Sequence, residues 1–213
     1  SEESANETVQ LIKEQGGESL AIKGDVTLPE DVKKIFAAAK EAFGRVDILV
    51  NNAGGMVKRC PFEELDENVW DEVYDLNVKS VFLCTKEVLP LMKEQGGGTI
   101  INMSSIAARN GGGPGSVHYA SAKGAVLTLT KGLAKELLPY NIRVNGINPG
   151  VIGTPFHEKY TPEHVRSNFK KGIPMGREGR ADEIAGAALF LASEDASYIC
   201  GETIEINGGQ LMD

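Results

Sequence analysis

The sequence predicts an α/β fold, a single domain built on a doubly wound parallel sheet. Three observations point there. Helical and extended patterns alternate along the 213 residues, as they do when parallel strands are joined by crossover helices. The run Val46–Val50 reads as an apolar strand of the buried, parallel type. Glycine is abundant at 25 residues and aromatics are sparse at 6%, which suits many tight strand-to-helix turns.

The elements follow in order. Residues 2–15 carry Val9, Leu11 and Ile12 among charges, a short amphipathic helix stopped by Gly16 and Gly17. Ser19–Val26 reads as a strand. Asp31–Phe43 repeats apolar residues at Val32, Ile35, Phe36, Ala39 and Phe43, helical spacing closed by Gly44. After Val46–Val50 comes Asn51-Asn52-Ala53-Gly54-Gly55, a polar, flexible strand end. A long helix is expected from about Asn68 to Lys93, its inner face marked by Val73, Leu76, Val81, Cys84, Val88 and Met92. Thr99–Met103 is a strand, followed by a glycine-rich loop through Gly115. Tyr119–Leu138 is helical, Ile142–Ile147 a strand, and Pro149–Gly179 a long irregular connection. Ala181–Ala192 is a helix and Thr203–Ile206 a last short strand. There is no internal repeat or linker.

Composition sets limits. The net charge of −8 leaves no electrostatic footprint for nucleic acid or an anionic membrane. No apolar run reaches membrane-spanning length, and the polar first residues do not read as a signal peptide. Cys60, Cys84 and Cys200 are far apart, and His118, His157 and His164 show no ligand spacing, so no metal site is expected. A cytoplasmic enzyme or binding protein remains.

The chemistry-bearing residues sit where strands end, and ligands of open α/β sheets bind outside those carboxyl ends. Asp25, Asn51–Gly54, Ser104-Ser105 and Pro149-Gly150 each follow an apolar stretch, and Tyr119-Ala120-Ser121-Ala122-Lys123 lies between the last two. Residues four apart share a helix face, so Lys123 lies one turn beyond Tyr119. A free phenol has a pKa of about 10; an adjacent ammonium is expected to lower it towards the working range. Ser105 can donate to a substrate oxygen on which charge develops. Asn77 is polar on an otherwise apolar face, a place to break a helical hydrogen bond and hold a water. Taken singly these are a surface pair, a helix cap and a loop anchor. Their ordered combination is what carries information.

In that order the residues resemble the short-chain dehydrogenase/reductase family over essentially the whole chain. The matches are Asn51-Asn52-Ala53-Gly54, Asn77-Val78, Ser105, Tyr119-x-x-x-Lys123, Pro149-Gly150-Val151-Ile152-Gly153-Thr154 and Ile204-Glu205-Ile206-Asn207-Gly208-Gly209. The resemblance implies a Rossmann-like sheet and an NAD(P)-dependent oxidoreductase that moves a hydride between cofactor and a secondary alcohol or ketone. It implies a catalytic tetrad of Asn77, Ser105, Tyr119 and Lys123, with Tyr119 exchanging the proton, Lys123 lowering its pKa and binding the nicotinamide ribose, and Asn77 holding a relay water. Asp25 and Val26 would meet the adenine; Asn51, Ala53 and Gly54 would line the cofactor; Pro149, Gly150, Ile152 and Thr154 would hold the nicotinamide end. Residues 155–172 would form a substrate lid. A homotetramer is the implied assembly, with the helices at Asn68–Lys93 and Tyr119–Leu138 as the implied dimer interface.

One part of the family pattern is not in these residues: the opening strand, the turn T-G-x-x-x-G-I-G, a helix and a second strand. A βαβ unit takes about 30 residues or more, so roughly 35–45 are expected to be missing. In the order 3-2-1-4-5-6-7 the two absent strands sit between Ser19–Val26 and Val46–Val50. Their absence is expected to leave open edges, an exposed apolar trough, and a chain that alone is neither stable nor active. The residue that selects NAD or NADP belongs to that segment, so the cofactor is NAD or NADP. The family members most similar are 3-oxoacyl-carrier-protein reductases and sugar or polyol dehydrogenases. A weakly basic cleft mouth tilts the reading towards a small ketone or sugar, with Lys170, Lys171, Arg177 and Arg180 near the lid as the features that keep an acyl carrier open. The competing reading is a catalytically inactive family member acting as a binding or scaffold protein.

Overall fold

The structure, a computed structural model, describes residues 2–160 and 163–212. Helices α1 (Glu2–Glu14) and α2 (Pro29–Phe43) precede strand β1 (Ile48–Asn51). Helix α3 (Glu67–Tyr74), a π-helical turn at Asp75–Lys79 and helix α4 (Ser80–Glu94) then lead to β2 (Gly98–Met103). Helices α5 (Ala107–Asn110) and α6 (Val117–Leu137) lead to β3 (Ile142–Pro149). Helices α7 (Pro155–Tyr160), α8 (Glu163–Lys171) and α9 (Ala181–Ala192) lead to β4 (Thr203–Ile206). The strands are parallel and lie side by side in chain order, with Leu49 opposite Ile100, Ile100 opposite Val144 and Ile147 opposite Ile204.

Strand β2 is apolar on both faces because both are covered. Successive side chains of a strand point to opposite sides. Ile100 accordingly joins Val32 and Phe36 of α2, Val88 and Met92 of α4, and Ala134 and Leu137 of α6. Ile101 joins Ile147, Leu191 of α9 and Ala196 on the other side. Each large aliphatic side chain so buried contributes about 1.5–3 kcal/mol. The α2 helix starts with Pro29 in its first turn and ends at Gly44, whose φ of 76° lets its N–H reach the Lys40 carbonyl.

Two expectations change in detail. Residues 17–25 belong to no helix and no ladder, because a strand exists only by pairing and no described residue pairs with them. Leu20 is 48% exposed there, and Ile48 and Val50 on β1 are 48% and 42% exposed, so β1 presents an uncovered apolar face. The helix expected at Asn68–Lys93 is broken by the π turn: the Ser80 N–H reaches back five residues to the Asp75 carbonyl. Helix α1 buries none of its residues.

Candidate active site

The carboxyl ends of β1, β2 and β3 open into a cleft of about 610 Å³, within the usual ~300–1,000 Å³ range of ligand sites. Helix α6 is stapled to the end of β2 by three side chains. The Ser104 hydroxyl donates to the Lys123 carbonyl at 2.8 Å, the Lys123 ammonium donates to the Met103 carbonyl at 2.8 Å, and the Asn102 amide donates to the Thr130 hydroxyl at 2.9 Å. The first two place Tyr119 and Lys123 over the strand end. The Lys123 Nζ lies 5.8 Å from the Tyr119 ring centroid, and the Ser105 side chain stands near enough to the phenol to lower its pKa. The Ala107 N–H donates to the Ser105 hydroxyl at 3.1 Å and orients it.

Asn77 is fully buried in the π turn and acts as a clasp. Its amide donates to the carbonyls of Gly55 at 2.7 Å and Val73 at 2.8 Å, and its Oδ1 accepts from the Gly55 N–H at 3.1 Å. The loop after β1 is thereby fixed against the helix. Gly54 lies so close that a Cβ there would stand 2.8 Å from the Asn77 Oδ1 and 2.9 Å from the Lys123 Nζ. Gly54→Ala is therefore expected to lower kcat at least tenfold and to cost about 1–3 kcal/mol of stability by overpacking. Steady-state kinetics and thermal melts check this; unchanged values for both would contradict the packing argument.

The electrostatics correct one expectation. The ammonium one turn away was expected to pull the Tyr119 phenol down. Burial wins instead and pushes it up to about 12, opposed only by the Ser105 side chain. The same burial pushes the Lys123 ammonium down to about 8. At neutral pH the phenol is a proton donor beside a largely protonated lysine.

Of the other residues singled out, Gly54, Pro149, Gly150, Ile152 and Thr154 line the cleft. Asn51 turns inward, its amide donating to Asn102 Oδ1 at 2.8 Å and to the Thr85 hydroxyl at 3.3 Å. Its neighbour Asn52 lines the cleft in its place, and Ala53 is exposed. Asp25 lies outside the cleft lining, its Oδ1 accepting from the Thr27 N–H and hydroxyl at 2.9 and 2.7 Å; Val26 packs against the α2 side of the core. From the lid segment Phe156 stands 5.6 Å from the Tyr119 ring, centroid to centroid, and Phe169 lines the cleft. Lys170 pairs with Glu178, Arg177 with Glu183 and Arg180 with Asp182, so these three offer no unpaired basic patch. The side chains of His157 and His164 lie outside the described residues.

The family model described as Enoyl-(Acyl carrier protein) reductase matches residues 1–210. The chain is 42% identical over 188 residues to the 3-oxoacyl-[acyl-carrier-protein] reductase FabG of Thermotoga maritima, covering 88% of this chain and 75% of that one. It is 39% identical over 212 residues to FabG of Staphylococcus epidermidis, covering 100% and 86%. The chain belongs to the short-chain dehydrogenase/reductase family. Two solved structures of similar fold are a 7 alpha-hydroxysteroid dehydrogenase complexed with NADH and 7-oxo glycochenodeoxycholic acid, and an NAD+-bound xylitol dehydrogenase. The first has a TM-score of 0.92 at 35% identity, covering 97% of this chain and 80% of that one. The second has a TM-score of 0.90 at 31% identity, covering 98% and 86%. This short-chain dehydrogenase/reductase is thus an oxidoreductase with a Rossmann-like sheet. Among its described residues no helix is long and apolar enough to cross a membrane, and no group of three His, Cys, Asp or Glu is placed to hold a metal ion.

Sequence reasoning passed over Arg59 and took His118 only as a histidine without ligand spacing. Arg59 lines the cleft, but Lys58-Arg59 reads as an ordinary solvated pair. His118 is fully buried, its Nε2 donating to the carbonyls of Lys58 at 2.8 Å and Met56 at 3.3 Å. Nothing in the local pattern distinguishes that strap from a surface histidine.

Proposed function

We propose that the protein interconverts a secondary alcohol and a ketone with NAD or NADP, Tyr119 acting as general acid in reduction and general base in oxidation. The observation that carries this is the half-buried Tyr119, its desolvated phenol beside Ser105 in the cleft, one helical turn from the buried Lys123.

The nicotinamide end of a cofactor fits the residues present. After its bond to Met103, Lys123 keeps two N–H groups for a ribose. Gly54 leaves space beside it, and the Gln210 Oε1, a buried acceptor with no partner, borders the same cleft at Gly150. Pro149, Gly150, Ile152 and Thr154 supply the wall. Asn51, Ala53, Asp25 and Val26 are the further contacts proposed, Asn51 acting through the strand end rather than by its inward-turned side chain. Bound there, the cofactor supplies or takes up the hydride.

Ser105 orients the substrate oxygen and Tyr119 gives it a proton. Lys123 holds a positive charge under the developing phenolate. Asn77 holds a relay water; both its amide hydrogens are spent on the Gly55 and Val73 carbonyls, so the water rests on the main chain that the π turn frees. Phe156 and Phe169, from the proposed lid at residues 155–172, shield the site from solvent. A small ketone or sugar, or a 3-oxoacyl thioester, is the proposed substrate. The proposed setting is a cytoplasmic homotetramer, consistent with Phe82 on α4 being 50% exposed.

The test is turnover of reduced nicotinamide with a panel of ketones, sugars and acyl thioesters, followed against pH. Lys123 is protonated below about 8, so reduction is expected to be level near pH 6–7 and to fall above 8 as that charge is lost. Oxidation, which needs phenolate, is expected to rise with pH. Reduction that increases from pH 6 to 9, or the absence of turnover with any ketone, would contradict the reading.

A further inference from the structure

Acidic residues outnumber basic ones 30 to 22 in this chain, yet the described residues that line the cleft include two cations, Lys123 and Arg59, and no carboxylate. The chemistry proposed above uses Lys123. It leaves Arg59 without a task.

Arg59 is fixed rather than adrift. Val57 just before it has a φ of 61°, a conformation that strains a β-branched residue by about 1–3 kcal/mol. The Lys58 N–H closes this tight turn on the Met56 carbonyl at 2.7 Å. His118 grips the carbonyls on both sides of Val57 from within the core, and the Cys60 N–H donates to the Gly115 carbonyl at 3.1 Å. The Arg59 side chain then donates from Nε to the Tyr160 carbonyl at 2.9 Å and from Nη1 to the Pro114 carbonyl at 2.6 Å. Both acceptors are neutral. They take two of the five N–H groups, leaving both on Nη2 and one on Nη1. Gly113 gives the guanidinium room: a Cβ there would lie 3.7 Å from Nη1 and 3.3 Å from Phe169.

Burial lowers the guanidinium's pKa from its ordinary value, and among the described residues no anion stands beside it to offset the cost. A cation held partly out of water, with donors to spare, in a cleft whose walls include Met56, Phe156 and Phe169, is built to receive an anion. Resting on the function proposed above, we propose that Arg59 determines substrate specificity: the ketone reduced at Tyr119 carries a carboxylate or phosphate, which the free donors of Arg59 bind.

The experiment compares matched pairs in wild type, Arg59→Met and Arg59→Lys: 4-oxopentanoate with its methyl ester, and dihydroxyacetone phosphate with dihydroxyacetone. Charge-assisted hydrogen bonds of this kind are worth roughly 10–100-fold in binding. In wild type, kcat/KM for the charged member of at least one pair is expected to exceed its neutral partner by about that factor; which pair responds tells carboxylate from phosphate. Arg59→Met is expected to erase the preference, raising KM for the charged member about 10–100-fold relative to the neutral one, and Arg59→Lys to restore part of it. Turnover of the neutral member certifies that the variants fold. Wild type without a charge preference, or equal losses for both members in Arg59→Met, would overturn the proposal and reduce Arg59 to a pin between lid and loop. Loss of all ketone turnover in wild type would instead overturn the oxidoreductase reading beneath it.

Discussion

Tyr119→Phe is expected to lower kcat for ketone reduction by at least two orders of magnitude while leaving the fold in place. The change deletes one oxygen. The ring keeps its place beside Phe156, 5.6 Å away, and what is lost is the hydroxyl's interaction with Ser105. A positioned proton donor contributes about 10²–10⁴-fold, and nothing else described in the cleft replaces it: Ser105 is oriented by the Ala107 N–H and Lys123 is tied to Met103. The loss should fall on kcat rather than KM, because the proton moves in the transition state. Kinetics beside a thermal melt separate this from unfolding; near-full activity would remove Tyr119 from the mechanism.

The second large effect joins stability to chemistry. The folded pKa of Lys123 is about 8, below its ordinary value of 10.5, so between those values the folded state binds fewer protons than the unfolded one. Stability therefore rises with pH across that window, and the cost of burying the ammonium is fully present below about 8. The difference corresponds to about 3 kcal/mol. Lys123→Met keeps the length of the side chain and discards the charge, but strands the Met103 carbonyl, at about 1–3 kcal/mol. The variant is expected to match or exceed wild-type stability at pH 7 and to fall behind it by pH 10. Its activity should drop at least a hundredfold. Denaturant titrations at both pH values check the sign. A variant equally destabilised at pH 7 and pH 10 would show that no desolvated charge resides there.

Periodicity and order made most of this visible in the sequence. The largely apolar runs at Ile100–Met103 and Val144–Ile147 are strands covered on both sides, and Ile48–Val50, uncovered on one, keeps the same apolar pattern, which needs no knowledge of partners. Ser105, Tyr119 and Lys123 stood out because the first falls at a strand end and the other two lie one helical turn apart. What escaped depends on contacts distant in sequence. Residues 17–25 carry a strand pattern yet make no ladder, since pairing is decided by neighbours. The π turn at Asp75–Lys79 shifts the helix by a fraction of a turn and swings Asn77 onto Gly55. Asn51 looked like a cofactor contact, but Asn102 and Thr85 hold its amide inside. Burial of Tyr119, rather than the charge of Lys123, sets the phenol's acidity, and sequence spacing reports only the second.

In the proposed mechanism burial keeps the Tyr119 phenol neutral and poised to give its proton to a carbonyl. The most direct measurement is the ultraviolet difference between wild type and Tyr119→Phe, titrated for tyrosinate absorbance in a protein with five tyrosines. With Tyr119 pushed up to about 12, the two titrations are expected to coincide through pH 10. An extra tyrosinate in wild type, appearing between pH 6 and 8, would contradict the account.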